Sequence, residues 1–144
     1  MTCASSKLII NVSADAIWQV LSDFGAACQY LVMVVDCTVV GAGVGALRTL
    51  TSADGSTIVE RLDMLDDVAH RLSYALLTDT PFRDCLTIIT VRDLGQTQCE
   101  VMWTATFDTD GLPASEAQEM LEGALRQNGR ELQHFLAAQG AVTG

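Results

Sequence analysis

One carboxylate falls on a strand face that the sequence otherwise fills with apolar residues. In the β-rich run 57–65 every second side chain points to the same side of the strand, so Glu60 has apolar neighbours. A buried carboxylate alone is very costly, whereas one hydrogen-bonded to an arginine is tolerable. Glu60 could instead point to solvent and pair with Arg61 or Arg71, an arrangement worth only about 0.2–1 kcal/mol. The residues that share the Glu60 face are Ile58, Leu62 and Met64.

A second polar residue lies on the apolar stripe of a predicted C-terminal helix. Pro113 precedes this helix and Gly140 follows it, and Asn128 is four residues from apolar positions on either side. An amide within the stripe needs a hydrogen-bond partner, which a ligand, a trapped water or Tyr74 could supply, unless Asn128 lies only at the stripe's edge. The residues predicted to face the sheet are Met120, Leu121, Ala124, Leu125 and Leu132.

Other chemistry has little support in the residue pattern. Neither His70 nor His134 has a serine, cysteine or carboxylate at a spacing that indicates a nucleophilic set. The cysteines contain no CxxC pair, so neither a disulfide framework nor a zinc site follows from their spacing. We therefore expect no metal and no cofactor. The five cysteines are Cys3, Cys28, Cys37, Cys85 and Cys99.

Charge and hydropathy narrow the range of partners. Eight basic against 18 acidic residues give a net charge of −10, which repels phosphate backbones and anionic membrane surfaces. No apolar run approaches the ~18 residues of a membrane span, and the N-terminus lacks the features of a signal peptide. We expect a cytoplasmic protein with reduced thiols that binds no nucleic acid and does not insert into a membrane.

The elements that must position these side chains follow from turn residues and periodicity. Ser13 is a predicted N-cap for a first short helix that ends at Gly25, and a second short helix spans 26–30. Turn signals such as Asp54-Gly55 separate the β-rich runs from one another. The length of 144 residues suits one α+β domain, residues 1–144. The predicted strands are 7–12, 32–40, 46–51, 57–65, 71–78, 85–93 and 98–107.

Seven short motifs occur in an order that resembles the polyketide cyclase/dehydrase branch of the START-like (SRPBCC) superfamily. They are SADAIW at 13–18, DFG at 23–25, GALR at 45–48, ERL at 60–62, DD at 66–67, LSY at 72–74 and WTATF at 103–107. The resemblance covers about residues 6–138. It implies a helix-grip fold: a seven-stranded antiparallel sheet curled around a long C-terminal helix, with two short helices between strands 1 and 2. Plant abscisic acid receptors and the major birch pollen allergen share this architecture, which encloses a mostly apolar cavity.

The resemblance also indicates which side chains face that cavity. It turns Glu60 inward and Arg48 inward on an adjacent strand, where the two could form a pair, and it makes the Tyr74 and Trp103 faces concave. The connections 52–56 and 79–84 match the family's entrance loops, with Pro81-Phe82 as an apolar lid. The predicted ligand-binding residues are Arg48, Ile58, Glu60, Leu62, Tyr74, Leu76, Phe82, Trp103, Ala105, Leu121, Ala124, Leu125 and Asn128.

Three functions are compatible with these features. The first is a carrier or sensor that holds a hydrophobic small molecule, such as a lipid, an isoprenoid or a polyketide-like compound. The second is a polyketide cyclase or dehydrase in which Glu60 acts as general base while Arg48 or Tyr74 polarises a carbonyl. The third is an interaction module with a vestigial cavity. We expect a monomer or a weak homodimer.

Overall fold

Ten elements make up the fold in the computed structural model, which describes residues 1–140. The strands are β1 (Thr2–Ile10), β2 (Val34–Val40), β3 (Leu47–Ser52), β4 (Thr57–Asp66), β5 (Arg71–Leu76), β6 (Phe82–Asp93) and β7 (Cys99–Thr109). The helices are α1 (Ala14–Leu21), α2 (Ala27–Tyr30) and α3 (Ala114–Ala138). Positions 141–144 of the predicted domain lie outside the described residues.

The seven strands form one antiparallel sheet in the order β1-β7-β6-β5-β4-β3-β2. Every pair except β1–β7 joins strands that are consecutive in sequence, so short turns build most of the sheet. The turn at Asp54-Gly55 is typical, because Gly55 has a φ of 88° that a residue with a Cβ rarely adopts. The sheet curls around α3, and the two short helices lie between β1 and β2. This arrangement confirms the predicted helix-grip fold.

The start of α1 forms as the sequence predicts. The Ser13 hydroxyl accepts a hydrogen bond from the Ala16 backbone N–H at 3.2 Å, which satisfies one of the amide groups left free at a helix start. Trp18 then lies against the β4–β5 turn, where its indole N–H donates to Asp67 at 2.9 Å and its ring stacks on His70. The β4–β5 turn therefore holds α1 against the sheet through contacts that add to those of the helix's apolar face.

A β-bulge in β4 changes the predicted strand face. The register between β4 and β5 shifts between Leu62 and Met64, so Leu65, not Met64, is opposite the buried Leu72. Leu65 packs against the hydrophobic core, in contrast to the predicted alternation. A bulge adds one residue to a strand and so reverses which side chains point inward beyond it.

Helix α3 packs on the sheet along a stripe rotated from the predicted one. Met120 is 52% exposed, in contrast to its predicted place on the sheet-facing stripe. The stripe instead passes through Gly129, where the helix backbone approaches the indole of Trp103. The buried residues of the helix are Ala117, Leu125, Gly129, Leu132 and Leu136. Within residues 1–140 no helix is both long enough and apolar enough to cross a bilayer.

Candidate functional site

The centre of the site is a buried ion pair between two neighbouring strands. Arg48 on β3 and Glu60 on β4 are cross-strand partners, so their side chains leave the same face of the sheet side by side. The Arg48 Nε donates to Glu60 Oε1 at 2.8 Å, and Nη2 lies 2.7 Å from the same oxygen. Their side chains are only 7% and 10% exposed. Register and periodicity thus bring together the two charges singled out in the sequence.

Two aromatic residues hold the Arg48 guanidinium in place. Its Nη1 donates to the Phe24 carbonyl at 3.2 Å, and its Cζ lies 4.1 Å from the centre of the Phe24 ring and 4.9 Å from that of Tyr74. Burial lowers the pKa of Arg48, but attraction from Glu60, with Tyr74 and Tyr30, outweighs this and leaves the pKa raised. The guanidinium therefore stays charged and fixed in orientation.

The ion pair forms one wall of a cavity of about 330 Å³ between β2–β4 and α3. This volume is at the lower end of the roughly 300–1,000 Å³ that is typical of small-molecule sites. Half of the lining is aliphatic: Leu31, Met33, Val34, Leu50, Ile58 and Ala124. The other lining residues are Arg48, Glu60, Tyr74, Gln127, Asn128 and Glu131. The cavity opens to solvent beside Met33, Ala124 and Gln127, which are all exposed.

Large side chains fill the space deeper between sheet and helix. A void of only about 20 Å³ remains there. The residues that line both this void and the cavity are Leu31, Arg48, Tyr74 and Asn128. Trp103 is 3% exposed and closes the deep end of the void. Burial raises the pKa of the Tyr74 hydroxyl, and the Glu60 charge adds to the rise, so this hydroxyl stays protonated and able to donate.

The mouth of the cavity is bridged by a hydrogen bond between distant segments. The backbone N–H of Val32, in the connection between α2 and β2, donates to Glu131 Oε1 on α3 at 3.2 Å. A surface groove of about 460 Å³ lies on the other side of this bridge and shares Gln127 and Glu131 with the cavity. The Val32–Glu131 bridge therefore separates the groove from the cavity.

Six of the thirteen predicted ligand-binding residues line this cavity. They are Arg48, Ile58, Glu60, Tyr74, Ala124 and Asn128. Trp103 borders only the small void. The other six lie elsewhere in the packed interior: Leu62, Leu76, Ala105, Leu121 and Leu125 belong to or pack against the core, and Phe82 packs edge-on against Phe107 at 5.6 Å. Within residues 1–140, none of the positions 79–84 lines the cavity, whose mouth is at the α2–β2 connection.

Sequence reasoning missed several lining residues, and one of them carried a usable signal. Leu50 is two residues after Arg48 on β3, so the same alternation that places Arg48 predicts Leu50 beside it. Leu31 and Met33 have no such signal, because they lie in an irregular connection whose position depends on packing against α3. Glu131 reaches the mouth from the next helical turn after Asn128.

The two histidines lie away from the ion pair. His70 stacks on Trp18 with ring centres 5.2 Å apart, and its Nε2 is 3.6 Å from Asp15. His134 borders the surface groove. Among residues 1–140 no group of three His, Cys, Asp or Glu side chains is placed to hold a metal ion.

A curled antiparallel sheet that grips one long helix around a cavity with a buried ion pair defines a START-like helix-grip domain. The model of the family described as "Polyketide cyclase / dehydrase and lipid transport" matches residues 1–138. The chain belongs to this family.

Solved structures with the same fold support the assignment. The protein XoxI from Bacillus cereus is 24% identical with a TM-score of 0.87, and the match covers 96% of this chain and 99% of that one. A START superfamily protein from Mycobacterium smegmatis is 14% identical with a TM-score of 0.82, covering 96% and 99%. The Zhui aromatase/cyclase from Streptomyces sp. R1128 is 19% identical with a TM-score of 0.74, covering 95% and 92%. At these identities the likeness is one of fold.

Proposed function

We propose that this protein binds a hydrophobic small molecule, such as a lipid, an isoprenoid or a polyketide-like compound, as a carrier or sensor. The observation that carries the proposal is the cavity of about 330 Å³, with six aliphatic lining residues around one buried ion pair. Apolar walls with a few fixed polar groups are typical of sites that hold small molecules by burial and orient them by hydrogen bonds. All five cysteines are free thiols, which suits a reducing compartment, and we place this function in the cytoplasm.

The ion pair supports a binding role better than a structural one. Taking two charges out of water costs more than their attraction usually returns, so a well-packed apolar pair would stabilise the fold equally well or better. Arg48 and Glu60 nevertheless lie at the cavity wall with Tyr74 beside them. Fixed charges at that place can orient a bound molecule, and we propose this as their role.

Ligand capture tests the proposal. Native mass spectrometry of freshly purified protein should show a co-purifying apolar compound, and thermal unfolding across a panel of isoprenoids, fatty acids and polyketides should reveal a stabilising class. A ligand at about 100 times its Kd adds roughly 2.7 kcal/mol of stability. The absence of both a retained compound and a thermal shift would contradict a binding function.

A pair of matched variants locates the binding. Ala124→Trp places an indole in the cavity, whereas Ala137→Trp adds the same group at an exposed position of α3 outside the cavity lining. We expect the first variant to lose the ligand-induced thermal shift and the second to keep it. Equal shifts in both variants would place the ligand elsewhere.

A cyclase or dehydrase activity is the second candidate, and one detail of the ion pair favours it. Both Arg48 contacts reach Glu60 Oε1, and the other carboxylate oxygen accepts none of the hydrogen bonds made within residues 1–140. That oxygen could remove an α-proton from a polyketide substrate while the Tyr74 hydroxyl donates to the carbonyl. Turnover of candidate polyketides should disappear in Glu60→Gln and persist in Glu119→Gln on the exposed face of α3. Equal turnover in the two variants would exclude Glu60 as the base.

A further inference from the structure

The charges around the cavity do not cancel. The charged side chains that line it are Arg48, Glu60 and Glu131. Arg48 is neutralised by Glu60 at 2.7 Å, and its third nitrogen donates to the Phe24 carbonyl. Glu131 at the mouth faces no basic residue of the lining, so the lining as a whole carries one negative charge.

Two carboxylate oxygens of the lining, one on Glu60 and one on Glu131, accept none of the hydrogen bonds made within residues 1–140. Three of the five N–H groups of Arg48, one each on Nε, Nη1 and Nη2, are already directed at a protein oxygen. Glu60 Oε2 has no such partner within residues 1–140, yet none of their fully buried side-chain polar atoms lacks a hydrogen bond, so Oε2 must reach the cavity. Glu131 uses only Oε1 to hold Val32, and its second oxygen is left at the mouth. A ligand therefore meets two carboxylate oxygens that no protein donor occupies, beside a guanidinium whose charge Glu60 already balances.

We propose that the cavity selects neutral or cationic ring compounds that donate a hydrogen bond, such as phenols or amines, and discriminates against carboxylates. The proposal rests on the binding function above and specifies its ligand class. A carboxylate ligand would have to displace Glu60 from Arg48 or lie next to two negative side chains, and the net charge of −10 would repel it during approach. A hydroxyl or ammonium group can instead donate to Glu60 Oε2 while its ring packs on the aliphatic wall.

Three compounds with one ring system separate charge from size. Naphthol, naphthoate and naphthylmethylamine, substituted at the same ring position, present a neutral donor, an anion and a cation near neutral pH. Isothermal titration of the intact protein should give measurable binding of the naphthol and the amine, and binding of the naphthoate at least about tenfold weaker. Naphthoate that binds as tightly as naphthol would overturn the proposal.

The matched variants test the cause of the selectivity. In Glu60→Gln the guanidinium loses its counter-charge, so naphthoate should gain at least about tenfold in affinity relative to naphthol. Glu131→Gln, which keeps an acceptor for Val32, should shift the ratio in the same direction by less. Glu119→Gln changes the net charge equally on an exposed face of α3 and should leave the ratio unchanged.

The outcomes distinguish the two proposals. If none of the three compounds binds while a compound of the isoprenoid, fatty acid and polyketide panel still shifts thermal unfolding, only the ligand class is wrong. If neither set binds, the binding function itself is wrong. If all three bind equally and Glu60→Gln leaves their ratio unchanged, the cavity binds ligands without charge selectivity and only the inference about ligand class fails. If Glu60→Gln does not fold, Glu131→Gln becomes the test of charge selectivity. An unchanged ratio of naphthoate to naphthol affinity in that variant counts against the inference about ligand class.

Discussion

The backbone of Gly129 on α3 lies against the indole of Trp103 on β7. A Cβ atom at Gly129 would be 3.2 Å from Trp103 Cζ3 and 3.3 Å from Cη2, and 3.4 Å from a methyl carbon of Leu8. These distances are shorter than most contacts of a side-chain carbon. The glycine therefore sets how closely the helix can approach the sheet, and through this contact it fixes Trp103 at the deep end of the site.

This contact predicts opposite effects of alanine at two glycines of α3. Gly129→Ala should lower the free energy of unfolding by about 1 kcal/mol, because overpacking costs about 1–3 kcal/mol and the gain in helix propensity returns only about 1 kcal/mol. Gly123→Ala should raise it by about 0.5–1 kcal/mol, because nothing lies within 4 Å of a Cβ placed there. Chemical denaturation measures both values. An increase in the free energy of unfolding of both variants would show that Trp103 moves aside for the new methyl group without cost.

The buried ion pair predicts a strong asymmetry between single and double substitutions. Arg48→Ala leaves the Glu60 carboxylate without its partner and should cost about 3 kcal/mol. The double variant Arg48→Met/Glu60→Leu removes both charges and should recover most of this loss. Arg61→Ala breaks an ion pair with Asp63 in which the arginine is 46% exposed, and it should cost less than about 1 kcal/mol. A double variant as unstable as the single one would contradict this account.

Buried acids with raised pKa values predict a loss of stability at alkaline pH. Burial, with a contribution from Asp93, raises the pKa of the Cys99 thiol from 9.0 to about 11. Below pH 9 the thiol is protonated in both states. Between pH 9 and about 11 the unfolded chain loses the proton while the folded chain retains it, so stability falls as the pH rises. The raised pKa values of Tyr74 and Tyr30 act in the same direction at higher pH.

Denaturation under reducing conditions at a series of pH values measures this slope. Cys99→Ala should show a shallower fall above pH 9 than the natural sequence. Cys3→Ala, at an exposed position of β1, should leave the slope unchanged. Identical slopes in all three proteins would rule out Cys99 as a source of the alkaline instability.

The bridge between Val32 and Glu131 predicts a kinetic effect on ligand exchange. Glu131→Ala removes the acceptor that holds the α2–β2 connection on α3, and a hydrogen bond of this kind contributes about 0.5–1.5 kcal/mol. We expect the dissociation rate of bound naphthol, followed by stopped-flow fluorescence, to rise at least about threefold. Glu119→Ala provides the control on the exposed face of the same helix. An unchanged rate in Glu131→Ala would mean that ligands leave by another route.

Local signals in the sequence predicted most of the fold. Asp54-Gly55 and Gly95 supply the backbone conformations that turns need, and alternation between them gives strands whose antiparallel neighbours are consecutive. The same alternation predicts the apolar neighbours of Glu60 on its strand, whereas the inward position of Arg48 opposite it is implied by the family resemblance and depends on the β3–β4 register. The bulge after Leu62 has no comparable signal, because an extra residue in a strand depends on how the whole sheet curls.

The mouth of the site depends on contacts that no local pattern encodes. Leu31 and Met33 lie in an irregular connection, and their position follows from the docking of Val32 on Glu131, 99 residues away in sequence. Phe82 illustrates the opposite case, since an apolar residue beside a proline resembles a lid in sequence but packs on Phe107 in the structure. Entrance residues are therefore the part of the site least accessible to sequence reasoning.

The position of the Trp103 indole also has a consequence for the size of the occupant. Because the indole ends the free space on one side and only about 20 Å³ remains before it, a bound compound cannot extend deeper than the ion pair. The tail of a long acyl chain would have to lie outside the cavity, towards the groove beyond the Val32–Glu131 bridge, whereas a compact compound of a few fused rings fits the scale of the cavity of about 330 Å³. Trp103 thus limits how far a bound compound can extend between sheet and helix, so we expect the cavity to select ligands by length as well as by charge.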